Sequence, residues 1–242
     1  MTTDIFNSAG EKLDYAFHGN SEDFSNLVLI GHGVTGNKDR PWIGTFADQL
    51  AAAGQNAIRF SFSGNGDSQG EFRNSTISKE VGDLGAMIDA AERAGYENIT
   101  VVGHSMGGAV GVIRAASDAR IKKLISLAGM VYTAKFNKVE FSDQTPDSGF
   151  MWDEEDCPYA QTFVDDMNSI DNVLAQGEKI SVPWLLVHGT ADDVVPIQES
   201  HDIFEKATTG DKKLMEVADA SHVFSDDGLQ PMIDAVIGWL NA

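Results

Sequence analysis

Short runs that are apolar on nearly every residue, separated by stretches of helical period, constrain this chain most. Asn26-LVLI, Asn56-AIRFSF, Asn98-ITVVG, Ile121-KKLISLAG, Pro183-WLLVHG and Lys213-LMEVA are such runs. A strand with one wet face alternates apolar and polar residues; these do not, so both of their faces must be covered. Between them the pattern predicts helices over 42–53, 76–94, 106–116, 197–207 and 229–240, the first two stopped by Gly54 and Gly95. Two short segments, 4–6 and 12–17, flank Ser8-Ala9-Gly10 and read as an N-terminal hairpin. The class is α/β: eight strands, mostly parallel, with helices on both faces. The 242 residues read as a single domain spanning 1–242. The alternation lapses from about 130 to 180, between the sixth and seventh strands, and this polar, aromatic stretch is too long for a plain connection. It reads as an inserted cap centred on Asp153-Glu-Glu-Asp156.

Charge narrows the partners. A formal net charge of −20 and a pI near 4.4, with no basic stripe, argue against nucleic acid and weigh against polyanionic substrates. No run is long and apolar enough to span a bilayer, and no membrane partner is expected. Cys157 is the only cysteine, which excludes an internal disulfide and suits a reducing compartment. With no basic-then-apolar leader at Met1–Tyr15, a cytoplasmic location is expected, and a homo-oligomer is admitted. No cluster of His, Cys and carboxylate marks a metal site, and no cofactor is called for.

Sheets of this kind bind ligands beyond the carboxyl ends of their strands. The chemistry-bearing residues fall there. Gly103-His-Ser105-Met-Gly107 lies between the strand ITVVG and a small-residue helix, which is the strand–turn–helix setting a nucleophile elbow needs. Side chains at 103 and 107 would crowd the turn, and the helix start aims amide N–H groups at a developing anion. The competing reading makes Ser105 an ordinary N-cap. Serine needs a base. His222 follows the last predicted strand and so reaches the same edge. The orienting acid should follow the strand before it, where Asp192 and Asp193 stand. Asp192 is preferred, because Val195-Pro196 begins the next helix and turns Asp193 outward. The order Ser105, Asp192, His222 suits acyl transfer to water.

Gly31-His-Gly-Val-Thr-Gly36 matches the dinucleotide fingerprint G-x-G-x-x-G. Two features oppose that reading. The polar loop 37–41 delays the helix, and the following strand ends in Ser61-Phe-Ser63 rather than an acid. The alternative is an oxyanion hole built from the backbone N–H groups of Val34 and Met106. His32 then fixes the loop.

These motifs, with Phe62-Ser-Gly-Asn-Gly-Asp-Ser68, Phe72-Arg-Asn-Ser-Thr76, Glu80 and His188-Gly-Thr-Ala-Asp192, carry a resemblance. Over nearly its whole length the chain resembles the α/β-hydrolase superfamily, most of all bacterial cinnamoyl and feruloyl esterases and related carboxylesterases. The resemblance implies the α/β-hydrolase fold, a small cap between the sixth and seventh strands, and hydrolysis of small-to-medium or aromatic carboxylic esters. It departs from the pattern at Val34, where an aromatic residue is common, and at Asn65, where a histidine is. Tyr132, Phe136, Phe150 and Trp152 are the cap residues expected to wall the substrate. A serine peptidase, thioesterase or monoacylglycerol lipase of the same fold stays open, as does a non-catalytic binding protein.

Overall fold

The computed structural model describes residues 3–242. A small hairpin pairs β1 (Ile5–Phe6) with β2 (Lys12–Leu13). Seven strands form the central sheet: β3 (Tyr15–His18), β4 (Asn26–Gly31), β5 (Ala57–Phe60), β6 (Asn98–His104), β7 (Ile121–Leu127), β8 (Trp184–Gly189) and β9 (Lys212–Val217), in the order β3-β5-β4-β6-β7-β8-β9. Only β3 runs antiparallel. The sheet therefore has one strand fewer than the eight expected. The predicted strand 12–17 breaks at Asp14, whose N–H donates to the Ser68 hydroxyl while its carbonyl accepts from Ser61 N–H. Those bonds turn the chain out of the hairpin and into the sheet, leaving β1 outside it.

Two-sided burial explains the apolar runs. In β4, Leu27 and Leu29 enter one core while Val28 and Ile30 enter the other. In β8, Trp184 and Leu186 divide from Leu185 and Val187 in the same way. One face is covered by α1 (Pro41–Ala52) and α8 (Leu229–Leu240), through Ile43, Phe46, Leu50, Met232, Ile233 and Val236. The other is covered by α2 (Ile77–Ala94), α3 (Met106–Ala115) and α7 (Gln198–Lys206). Thr76 caps α2 by accepting from Lys79 N–H, and Gly95 ends it at φ 96°, a left-handed conformation that glycine adopts without strain.

The insertion between β7 and β8 holds α4 (Thr133–Glu140), α5 (Gln161–Ile170) and a single turn, α6 (Leu174–Gly177). Its irregular middle is filled by Phe136, Phe141, Trp152, Tyr159 and Phe163, whose ring centroids lie 5.0–6.4 Å apart. This cluster is continuous with the core beneath α2 and α3. Ser78 N–H also donates to Asp166 on α5 at 3.0 Å.

One buried acid makes stability depend on pH. Glu80 on α2 accepts from the Ser75 hydroxyl at 3.0 Å, and its other oxygen has no partner among the described residues. Lys79 is turned to Glu11, while Asp83 and Asp166 add negative charge nearby. Burial above all, then those carboxylates, hold the Glu80 pKa well above the ordinary value. The folded chain keeps a proton that the unfolded chain releases above about pH 4, so stability should fall as pH rises from there toward the folded pKa. Between pH 5 and 8 the Tm of Glu80→Gln is expected to decline less than that of the parent. Parallel Tm curves would remove Glu80 from the account.

Candidate active site

The loops leaving β4, β6, β8 and β9 meet at the carboxyl edge of the sheet. At the end of β6, Ser105 sits at φ 55°, ψ −121°, and its side chain makes no capping bond to α3. It is not an N-cap in the ordinary sense; the turn is strained and held from outside. Ser105 N–H donates to the Leu127 carbonyl at 3.0 Å, and the Ser105 carbonyl accepts from Met130 N–H at 2.9 Å. Close approach explains the flanking glycines. A Cβ on Gly103 would lie 2.0 Å from the Gly107 carbonyl oxygen, and one on Gly107 would lie 2.4 Å from that of His32. Both obstacles are backbone. Gly107→Ala is therefore expected to destabilise by about 1–3 kcal/mol, lowering Tm by roughly 3–10 °C. Gly44→Ala, on α1 with nothing within 4 Å of the new Cβ, is the control and should hold or raise Tm. Equal Tm values for the two variants would contradict this account of the elbow.

Asp192 follows β8 with its side chain fully buried. One oxygen accepts from Val194 and Val195 N–H, each at 2.9 Å. The other lies 2.8 Å from Nδ1 of His222 and 3.0 Å from Nε2 of His188. Burial alone would raise its pKa; the bonds from His188, His222 and the loop amide outweigh it and hold the carboxyl well below the usual range. Asp193 is exposed. Of the two candidate acids, Asp192 is thus the one that meets His222.

The second donor to Asp192 was not legible as such. His188 is fully buried, with Nε2 also 2.9 Å from the Val195 carbonyl and Nδ1 2.7 Å from the Ser200 hydroxyl. Two acceptors around Nε2 place the proton there. The signal in the sequence was a histidine four residues before the acid. His104 is a further residue whose part the motif does not announce. Its side chain lies inside the elbow yet lines the cavity, donates through Nε2 to the His222 carbonyl at 2.9 Å and packs edge-on to Trp42. Burial, with the nearby His222, presses its pKa down to about 3, so it serves as a neutral prop.

Ser105 and His222 share a half-open cavity of about 410 Å³. The loop after β4 forms one side of it, including Val34. His32 holds that loop: Nδ1 donates to the Gly33 carbonyl at 2.8 Å and Nε2 accepts from Phe62 N–H at 3.0 Å. Burial takes its pKa down to about 4 and keeps it neutral. The N–H groups of Val34 and Met106 find no acceptor among the described residues. Of the four cap aromatics expected at the substrate, only Trp152 lines the cavity. Tyr132 instead donates its hydroxyl to Asp202 at 2.8 Å, Phe136 is buried inside the cap, and Phe150 bridges to Pro158 with its ring exposed. The apolar lining comes also from Pro41, Trp42 and Ile43 at the start of α1, and from Val194 and Val223. Reading that helix as a core element hid its exposed first turn.

The expected absence of metal-binding clusters also needs an amendment. The fold brings carboxylates of Asp14, Asp39 and Asp67 within 4.8 Å of one another. Lys38 already pairs with Asp14 and Asp39, and Arg59 with Asp39.

A strained serine turn between a parallel strand and a helix thus shares its cavity with a carboxylate–imidazole pair, and the family to which the chain belongs is one of hydrolases. The chain belongs to the α/β hydrolase fold family, whose model matches residues 26–179, and a serine aminopeptidase S33 model matches 155–227. Among relatives, the uncharacterized protein YfhR of Salmonella typhi is 26% identical over 236 residues, covering 92% of this chain and 73% of its own. The human mitochondrial palmitoyl-protein thioesterase ABHD10 is 29% identical over 171 residues, covering 65% of this chain and 54% of its own. Among solved structures, Est1E from Butyrivibrio proteoclasticus with ferulic acid bound superposes with a TM-score of 0.88 at 24% identity, covering 99% and 98% of the two chains. The monoacylglycerol lipase of Paleococcus ferrophilus does so at 0.74 and 20% identity, covering 94% and 98%. No helix among the described residues is long and apolar enough to cross a membrane.

Proposed function

We propose that the chain is a serine carboxylesterase that cleaves small-to-medium or aromatic esters, of the feruloyl or cinnamoyl kind, through an acyl-enzyme on Ser105. One observation carries this reading: Ser105, at the strained turn, shares an apolar cavity with His222, whose other nitrogen is held by the ionised Asp192. In this mechanism Nε2 of His222 takes the Ser105 proton as Oγ attacks the ester carbonyl. The oxyanion is received by the N–H groups of Val34 and Met106. His222 then protonates the leaving alcohol, and water repeats the sequence to release the acid. Asp192 fixes the imidazole tautomer and balances the imidazolium. The reading carries with it a cytoplasmic setting, supported by the free, buried Cys157.

The thioesterase and monoacylglycerol lipase activities of similar proteins use the same acyl-transfer chemistry. An aminopeptidase is disfavoured on a specific observation. Such an enzyme must hold a cationic amine, and no carboxylate lines this cavity among the described residues. Fluorophosphonate labelling, followed by a panel of aryl, acyl, thioacyl and cinnamoyl esters, tests the reading. Labelling of Ser105→Ala equal to that of the parent would overturn it. Turnover of short acyl esters without hydroxycinnamates would narrow it to a non-feruloyl esterase.

A further inference from the structure

The chain carries 37 Asp and Glu against 17 Lys and Arg, yet the cavity reverses that balance. No acidic residue lines it among the described residues, and one residue with a guanidinium group does. That residue is Arg40, at the N-cap position of α1. Its Nη2 donates to the Thr35 carbonyl at 3.0 Å, which ties the side chain to the same loop that carries Val34. The adjacent Asp39 is engaged by Lys38 and Arg59, and Arg40 has no carboxylate partner among the described residues. Four of its five N–H donors are left for something else. An arginine fork matches a carboxylate better than any other side chain does. Around it the wall is apolar, formed by Pro41, Trp42, Ile43 and Trp152. The complementary ligand has an apolar or aromatic body and an anionic end. The overall charge does not forbid it, since charges beyond about 8 Å are screened at physiological salt and the near guanidinium dominates.

We propose that Arg40 is a recognition point for a carboxylate, and that the site prefers esters bearing a free carboxylate away from the scissile bond. This rests on the esterase reading for its catalytic half only. The rival role for Arg40 is a tether to the acidic turn Asp153–Asp156 of the cap. No ion pair joins Arg40 to that turn among the described residues, and its one side-chain bond goes to the Thr35 carbonyl instead.

The test has a binding arm and a kinetic arm. Trp42 and Trp152 in the wall report occupancy by fluorescence. The wild-type protein is titrated with 4-phenylbutyrate and with the neutral 4-phenylbutan-1-ol, neither of them a substrate. The carboxylate is expected to bind roughly fivefold tighter, a modest factor because Arg40 is exposed. Arg40→Gln should bring the ratio to about one, Arg40→Lys should keep part of it, and 0.5 M NaCl should shrink it. In the kinetic arm, kcat/KM for mono-4-nitrophenyl glutarate is compared with that for 4-nitrophenyl butyrate, and the ratio should follow the same order, chiefly through KM. Equal binding of acid and alcohol by the parent overturns the proposal, and so does a preference that survives Arg40→Gln. A loss shared equally by both ligands also overturns it, since it assigns Arg40 to holding the cap. If no ester is turned over and no fluorophosphonate label appears, the esterase reading fails while the binding arm still decides the role of Arg40.

Discussion

Ser105→Ala is expected to abolish fluorophosphonate labelling and to cut ester turnover by roughly 10⁵–10⁶. The remainder would come from the donors and the cavity, which a methyl group leaves in place. Alanine keeps the strain, because φ at 105 is 55° and Cβ is retained. Ser105→Gly removes both the nucleophile and the Cβ that makes this conformation costly. Both variants should therefore be inactive, but only the glycine variant should gain stability, by about 1 kcal/mol, a Tm rise of roughly 2–4 °C. Measuring 4-nitrophenyl butyrate turnover beside thermal melts separates the two effects. Activity in the alanine variant within tenfold of the parent would exclude Ser105 as the nucleophile.

Asp192→Asn is expected to lower kcat by about 10⁴ with little change in KM. The reasoning is local. The asparagine carbonyl would take over the N–H groups of Val194 and Val195, leaving its NH₂ facing His222 and His188. His222 must then present an unprotonated Nδ1 to that amide, which puts its proton on the nitrogen facing Ser105. A base already carrying its proton cannot take another. His188 would meet a donor where it now meets an acceptor, so a loss of about 1–3 kcal/mol in stability should accompany the loss of rate. Because Asp192 ionises well below the range in which ester cleavage is measured, no limb of the parent pH–rate profile should arise from it. Retention of a tenth or more of the parent kcat would show that Asp192 does not orient the base.

Much of this was legible in the sequence because it follows from backbone rules. Strands covered on both faces must be apolar on both, so β4 and β8 announced the helical layers on either side. The elbow was readable because only glycine fits at 103 and 107, and Asp192 and His222 because each lies in the loop that leaves the carboxyl end of its strand. What escaped depends on contacts between residues far apart in the chain. The break at Asp14, made by Ser61 and Ser68, has no local signature. The second bond to Asp192 had only the four-residue spacing to announce it, and His188 at a strand end otherwise looks like any buried histidine. The cap has no period to read, so its aromatics could not be sorted into those that fill it and the one, Trp152, that reaches the cavity. Arg40 was hidden in a loop noted only for delaying a helix.

The continuity of the cap with the core beneath α2 and α3 sets how such a chain can change its diet. A roof resting on separate walls can be exchanged whole; this one shares its foundations with the house. Grafting a foreign segment over 130–180 would strip Met130, Val131, Phe163 and Met167 from the interior that steadies the elbow, and the serine would lose its footing along with its lid. New substrates are therefore reached by single changes around the rim, at Arg40, Trp42, Trp152 or Val223, with the seam beneath left untouched.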